Sequence, residues 1–202
     1  MSNSTAGSDK APSEETAIAE ATVLAATRRW VERAVVGLNL CPFARAPFAQ
    51  QRVHFRISHA RSEEALLDDL REELVALQAA DPLIRETTLL IHPGVLTEFL
   101  DYNDFLDTAD AAVLALGLEG ELQVASFHPD YRFADTAADA IENCTNRSPY
   151  PTLHLLRESS IERAVETMGD TDEIYRRNIE TLRRLGADGW RALIRDEDDV
   201  TQ

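Results

Sequence analysis

The sequence predicts one α/β domain with a small, mainly parallel sheet of about four strands flanked by helices. Three observations carry that prediction. Apolar residues recur at helical spacing in some segments and alternate or cluster in shorter ones, the marks of amphipathic helices and of strands. The two kinds of segment take turns along the chain, as parallel strands joined by helical crossovers require. The chain has 202 residues, 44% of them hydrophobic, which suits one sizeable core better than two.

Residues 1–16 are rich in Ser, Thr, Ala and Glu without an apolar period and read as a disordered tail, so the domain is placed at 17–186. Leu24, Val31, Ala34, Val35 and Leu38 mark a first helix, which Gly37 and Pro42 bring to a stop. Val53 to Ile57 alternates apolar with polar and reads as an edge strand with one wet face. Ser62 sits where an N-cap belongs, Glu63 and Glu64 suit the positive helix end, and Leu67, Leu70, Leu74 and Leu77 line one face up to Asp81-Pro82. Thr88 to Ile91 is a short apolar run suited to a buried parallel strand, ending at His92-Pro93-Gly94.

A third helix carries Phe99, Tyr102, Leu106, Ala109, Val113 and Leu116 on one stripe and stops at Gly117. Leu122 to Phe127 is a third strand, closed by His128-Pro129, and Thr152 to Leu156 a fourth whose direction the sequence leaves open. Ser160 to Met168 and Asp172 to Leu185 read as two closing helices, with Asp170 and Glu173 as a capping-box variant for the second. Residues 187–202, with Asp196, Glu197, Asp198 and Asp199 in a row, read as a solvated acidic tail.

Twenty basic residues stand against 36 acidic ones, a formal charge of −16. That excludes nucleic acid as a partner, because phosphate binding depends on clustered cations, and it disfavours an anionic membrane surface. No apolar run approaches the roughly 20 residues that span a bilayer. The first residues lack the basic and apolar regions of a secretory signal, so the expected location is the cytoplasm. Cys41 and Cys144 are then most simply thiols.

Open α/β sheets place their sites beyond the carboxyl ends of the strands. His92 and His128 both fall there, each followed by a proline. An imidazole in that position serves as a general base, a metal ligand or a hydrogen-bonding group. The polar stretch after the third strand adds Asp130 and, in Asn146-Arg147-Ser148, a guanidinium fork suited to a carboxylate or phosphate. Arg147 reaches the histidines only if the fourth strand runs antiparallel to the others. His154, inside that strand, reads as a hydrogen-bonded core residue, and His54 and His59 as surface residues. Cys41 opens Cys41-Pro42-Phe43, which has the spelling of a monothiol glutathione site but not its strand and helix flanks, and Cys-Pro is also a haem-responsive dipeptide.

Two stretches, Asn39-Leu40-Cys41-Pro42-Phe43-Ala44 and the run from Asn146-Arg147-Ser148-Pro149-Tyr150-Pro151 to His154-Leu155-Leu156-Arg157-Glu158, resemble an uncharacterised bacterial family known as domain of unknown function 1415. The likeness covers roughly Trp30 to Leu185. It implies a bacterial, soluble, single-domain protein and no particular activity.

The functional expectation is a small-molecule enzyme with a His/Arg/Cys site at one sheet edge and an anionic ligand. His92, His128 and Asp130 supply acid–base or metal chemistry there, Arg147 the anion clamp, and Cys41 a nucleophile or soft ligand. Two other readings stand beside it. One is a non-catalytic binder of a divalent metal or haem, with His92 and His128 as ligands and Cys41 or Cys144 in support. The other is an interaction module whose acidic surface meets a basic partner.

Overall fold

The structure, a computed structural model, describes residues 14–168 and 171–195. It is a mixed α/β domain around a four-stranded sheet: β1 (Val53–Ile57), β2 (Thr87–Ile91), β3 (Leu122–Phe127) and β4 (Thr152–Arg157) in spatial order β1-β2-β4-β3. β1 and β2 pair in parallel, while β4 lies antiparallel between β2 and β3. Three strands therefore share one direction, as predicted, but a single pairing is parallel. The cause is the segment 128–151, which turns back at the end of β3 so that Thr152 enters beside both Phe127 and Ile91.

Two helices cover one face. α3 (Glu63–Ala79) buries Leu66, Leu70, Leu74 and Leu77, and α4 (Phe99–Ala115) buries Tyr102, Phe105, Ala109, Ala112 and Val113. These pack on Leu90, Leu122, Leu153 and Leu155 from the sheet. The α4 stripe is rotated from the predicted one: Phe105 and Ala112 join it, Leu106 is partly buried, and Leu116 lies past the helix end, where Gly117 turns the chain at φ 70°. Ser62 caps α3 as predicted, its hydroxyl accepting the Ala65 amide at 3.3 Å. Ser62→Ala leaves that amide without its cap and should lower the unfolding free energy by about 1 kcal/mol, read as a lower urea midpoint at constant slope.

The opposite face carries α1 (Glu14–Trp30), a π-helical segment Val31–Val36, the short α2 (Arg45–Ala49) and α6 (Thr171–Ile194). Here Trp30, Val31, Ala34, Leu40, Leu182 and Trp190 meet Leu89 and Ile91. α5 (Glu158–Met168) follows β4 directly. Two predicted boundaries are corrected. Helix begins at Glu14, before the tail boundary at residue 16, and α6 continues through 187–194 to bury Trp190. Gly186, at φ 70°, kinks α6 and re-aims its last turns onto the core, where the charge pattern had suggested a tail. Residues 1–13, Asp170 of the capping-box variant and the acidic run at 196–199 lie outside the described residues. No helix among the described residues is long and apolar enough to cross a membrane.

Candidate functional site

A cleft of about 520 Å³ opens on the sheet face that carries α1. Its position follows from the chain around Trp30. The π-helical segment, with the Gly37 amide bonded to the Glu32 carbonyl at 2.9 Å, widens the last turns of the first helix. Asn39 then reverses the chain at φ 56°, and the Cys41 amide returns to the Val35 carbonyl at 3.3 Å. Cys41, Pro42 and Phe43 are thereby laid against the sheet opposite Leu89, Ala125, Phe127, His154 and Leu156. α1 packs over β1, and Ala125 presents only a methyl group in the middle of β3, so the β4–β3 side of this face stays open.

The walls are mainly apolar and aromatic. Trp30 and Phe127 meet edge to face with ring centroids 5.1 Å apart, and Phe127 lies 5.9 Å from the His154 ring. Polar groups gather at the end where β2 begins and β4 finishes: Arg52, Glu86, Arg157 and Ser160. Arg52 and Glu86 form an ion pair, and Glu86 also accepts from Ser160 at 2.5 Å. Arg157 donates to the Ala80 carbonyl at 2.8 Å, but its buried Nε has no hydrogen-bond partner. Among the charged side chains that line this end, guanidinium groups outnumber carboxylates two to one, with Asp81 and Glu121 acting on Arg157 from outside the cleft.

Two cleft residues have chemistry of their own. Burial pushes the Cys41 thiol up from its ordinary range, against a smaller pull from the amides of Phe43 and Ala44. The thiol is therefore protonated at neutral pH and a weak nucleophile unless something lowers it. Burial likewise pushes His154 down to about 4, so it is neutral. Its Nε2 lies 2.7 Å from the Thr87 hydroxyl, whose own proton goes to the Leu155 carbonyl at 2.6 Å.

Of the predicted site residues Cys41, His92, His128, Asp130 and Arg147, Cys41 alone lines this cleft. The antiparallel β4 does bring Asn146, Arg147 and Ser148 to the sheet edge that holds His92 and His128. The His92 amide donates to Pro151 and the His128 amide to the Asn146 carbonyl. Both histidines are fully buried and pack against Tyr102, with centroid distances of 5.7 and 5.1 Å. Arg147 spends its donors on the carbonyls of Tyr131 at 3.2 Å and Ala138 at 2.6 Å, which ties down the 128–146 connection. Asp130 is exposed, and its amide donates to His128 Nδ1 at 3.0 Å. Cys144 is buried, which raises its thiol against the pull of nearby Arg147.

These bonds also decide what the histidines can ligate. His92 Nδ1 faces the Val95 carbonyl at 3.0 Å, so it carries the proton and leaves the Nε2 lone pair unpartnered. That is the arrangement of a metal-ligating histidine. His128 is the reverse: its Nδ1 accepts the Asp130 amide, so the proton sits on Nε2, and the residue does not fit a metal ligand. Among the described residues no three His, Cys, Asp or Glu side chains come close enough to hold a metal ion.

Sequence reasoning placed His154 in the core rather than in the site, and missed Trp30, Phe127, Arg52 and Arg157. The available signal for His154 was parity: Leu153 and Leu155 claim one face of β4, which aims His154 away from α3 and α4. The same parity puts Arg157 on the α3 side, where it bonds the Ala80 carbonyl, and gave no signal for its place at the cleft. Fold and site together define a layered α/β domain with a small-molecule-sized cleft on one sheet face. The chain belongs to the family described as protein of unknown function (DUF1415), whose profile matches residues 22–192, slightly beyond the predicted likeness at both ends. No curated protein and no solved structure matches the chain.

Proposed function

We propose that the protein binds a small organic molecule in the Cys41/His154 cleft, with an apolar body against Trp30, Phe43 and Phe127 and an anionic group toward Arg52 and Arg157. The observation that carries this reading is convergence. Cys41-Pro42-Phe43 and the His154 strand are more than 100 residues apart in sequence, yet they form opposing walls of one cleft of drug-like size. The excess of guanidinium at one end favours an anionic head in a chain that is otherwise strongly acidic. The thiol and the imidazole equip the same cleft for chemistry on what it binds, which keeps the enzyme reading but moves it from the sheet edge to the sheet face. A protonated, buried thiol weighs against Cys41 as a haem or soft-metal ligand.

The test uses Cys41 as a reporter. In a Cys144→Ala background, N-ethylmaleimide alkylates Cys41 slowly, because little thiolate is present. Saturating 1-anilinonaphthalene-8-sulfonate, an aromatic anion of suitable size, should slow that reaction about fivefold or more, followed by intact mass. An unchanged rate at saturation would overturn the proposed site.

A further inference from the structure

The hydrogen bonds behind His154 fix which of its nitrogens the cleft sees. A carbonyl only accepts, so the Thr87 hydroxyl must donate its single proton to Leu155. Toward His154 the same oxygen can then only accept, and Nε2 must be the protonated nitrogen. The neutral ring has one proton, so Nδ1 carries a lone pair. No described residue donates to Nδ1. His154 is not fully enclosed, and it lines the cleft.

The other side-chain acceptors along the walls are committed. Thr87 is used twice, Glu86 is held by Arg52 and Ser160, and the Cys41 sulfur faces the amides of Phe43 and Ala44. Gln123 is exposed at the rim. This leaves one acceptor of fixed direction among aromatic walls, where a ligand lacking a matching donor strips water from the nitrogen without replacing it.

We propose that His154 Nδ1 is the specificity-determining acceptor of the cleft and that its ligand carries a hydroxyl or N–H donor on an aromatic body, a phenol being the simplest class. The inference rests on the cleft being the binding site. Thr87 is its positioning residue, because it fixes the tautomer through Nε2 while the ligand meets Nδ1.

Calorimetric titration with 1-naphthol and 1-methoxynaphthalene tests it, since the two differ in the donor and little else. The wild-type protein should bind 1-naphthol about tenfold more tightly. His154→Leu should erase the difference, and His154→Asn, whose amide oxygen can stand near the Nδ1 position, should restore part of it. Equal binding of both compounds by the wild type overturns the acceptor while leaving the cleft intact; so does a preference that survives His154→Leu. Binding of neither compound overturns both. An independent readout needs no variant: the ¹⁵N imidazole spectrum of the free protein should show His154 protonated at Nε2, and protonation at Nδ1 would contradict the inference.

Discussion

Tyr102→Phe should destabilise the protein by about 3 kcal/mol, although it removes one oxygen and no packing volume. The Tyr102 hydroxyl donates to the Thr152 carbonyl at 2.9 Å and accepts the Phe127 amide at 3.0 Å. Burial keeps the phenol protonated far above its ordinary range, so the donation persists at any working pH. The oxygen thus stitches the last residue of β3 to the first of β4 at the point where the antiparallel strand enters. Phenylalanine would leave a buried N–H and a buried C=O unpaired, each costing about 1–3 kcal/mol. Urea unfolding followed by circular dichroism measures the loss. A change below about 1 kcal/mol would show that the two backbone groups find other partners.

Acid should weaken the fold well before its carboxylates protonate. His92 and His154 are each held by burial at about 4 in the folded protein, against about 6.5 in an unfolded chain. Burial lowers His128 as well. Between those values the unfolded state binds protons that the folded state refuses, so stability is full above pH 6.5 and falls as the pH drops toward 4. Two such groups amount to a loss on the order of 5 kcal/mol across that window. Carboxylates lowered in the fold, such as Glu142, held by its own backbone amide and then by Arg183, add their loss only below about 4.5. Unfolding free energies at pH 7, 6 and 5 separate the two, because a decline already present by pH 5 belongs to the histidines. The slope should be shallower in His154→Asn. A flat profile from pH 7 to pH 5 would mean that these imidazoles titrate normally.

Much of the fold was legible in the sequence. β3 occupies the residues its apolar run predicted, and β1 is the half-wet edge strand that its alternation described. Ser62 caps where a cap was expected. The direction of β4 was not legible, since a connection of more than 20 residues can return a chain to either end of a sheet. The site was misjudged for the same reason. The rule that ligands lie beyond the carboxyl ends of parallel strands assumes that nothing fills that end. Here β4 starts there, and the 128–146 connection and Tyr102 close over it.

Parity does place His92 with Leu90 and His128 with Val124, on the face of α3 and α4. Only the packed structure shows that Tyr102 occupies the space between the elements that carry them, and that Asp130 and Val95 already use one nitrogen of each ring. Cys41 and His154 both lay in the stretches that carried the family likeness. Nothing in their spacing revealed that they line one cleft, because that depends on the π-helical widening after Trp30 and on Ala125 being small.

The central claim is that this cleft is a binding site, and Trp30 on its wall reports on it directly. In Trp190→Phe protein, Trp30 is the remaining tryptophan, and 1-anilinonaphthalene-8-sulfonate should quench it saturably at one molecule per chain. The quenching should disappear when Ala125→Tyr is added to this protein, because the larger side chain fills the cleft without adding a tryptophan. Quenching that fails to saturate, or that survives in the folded Ala125→Tyr variant, would contradict the account.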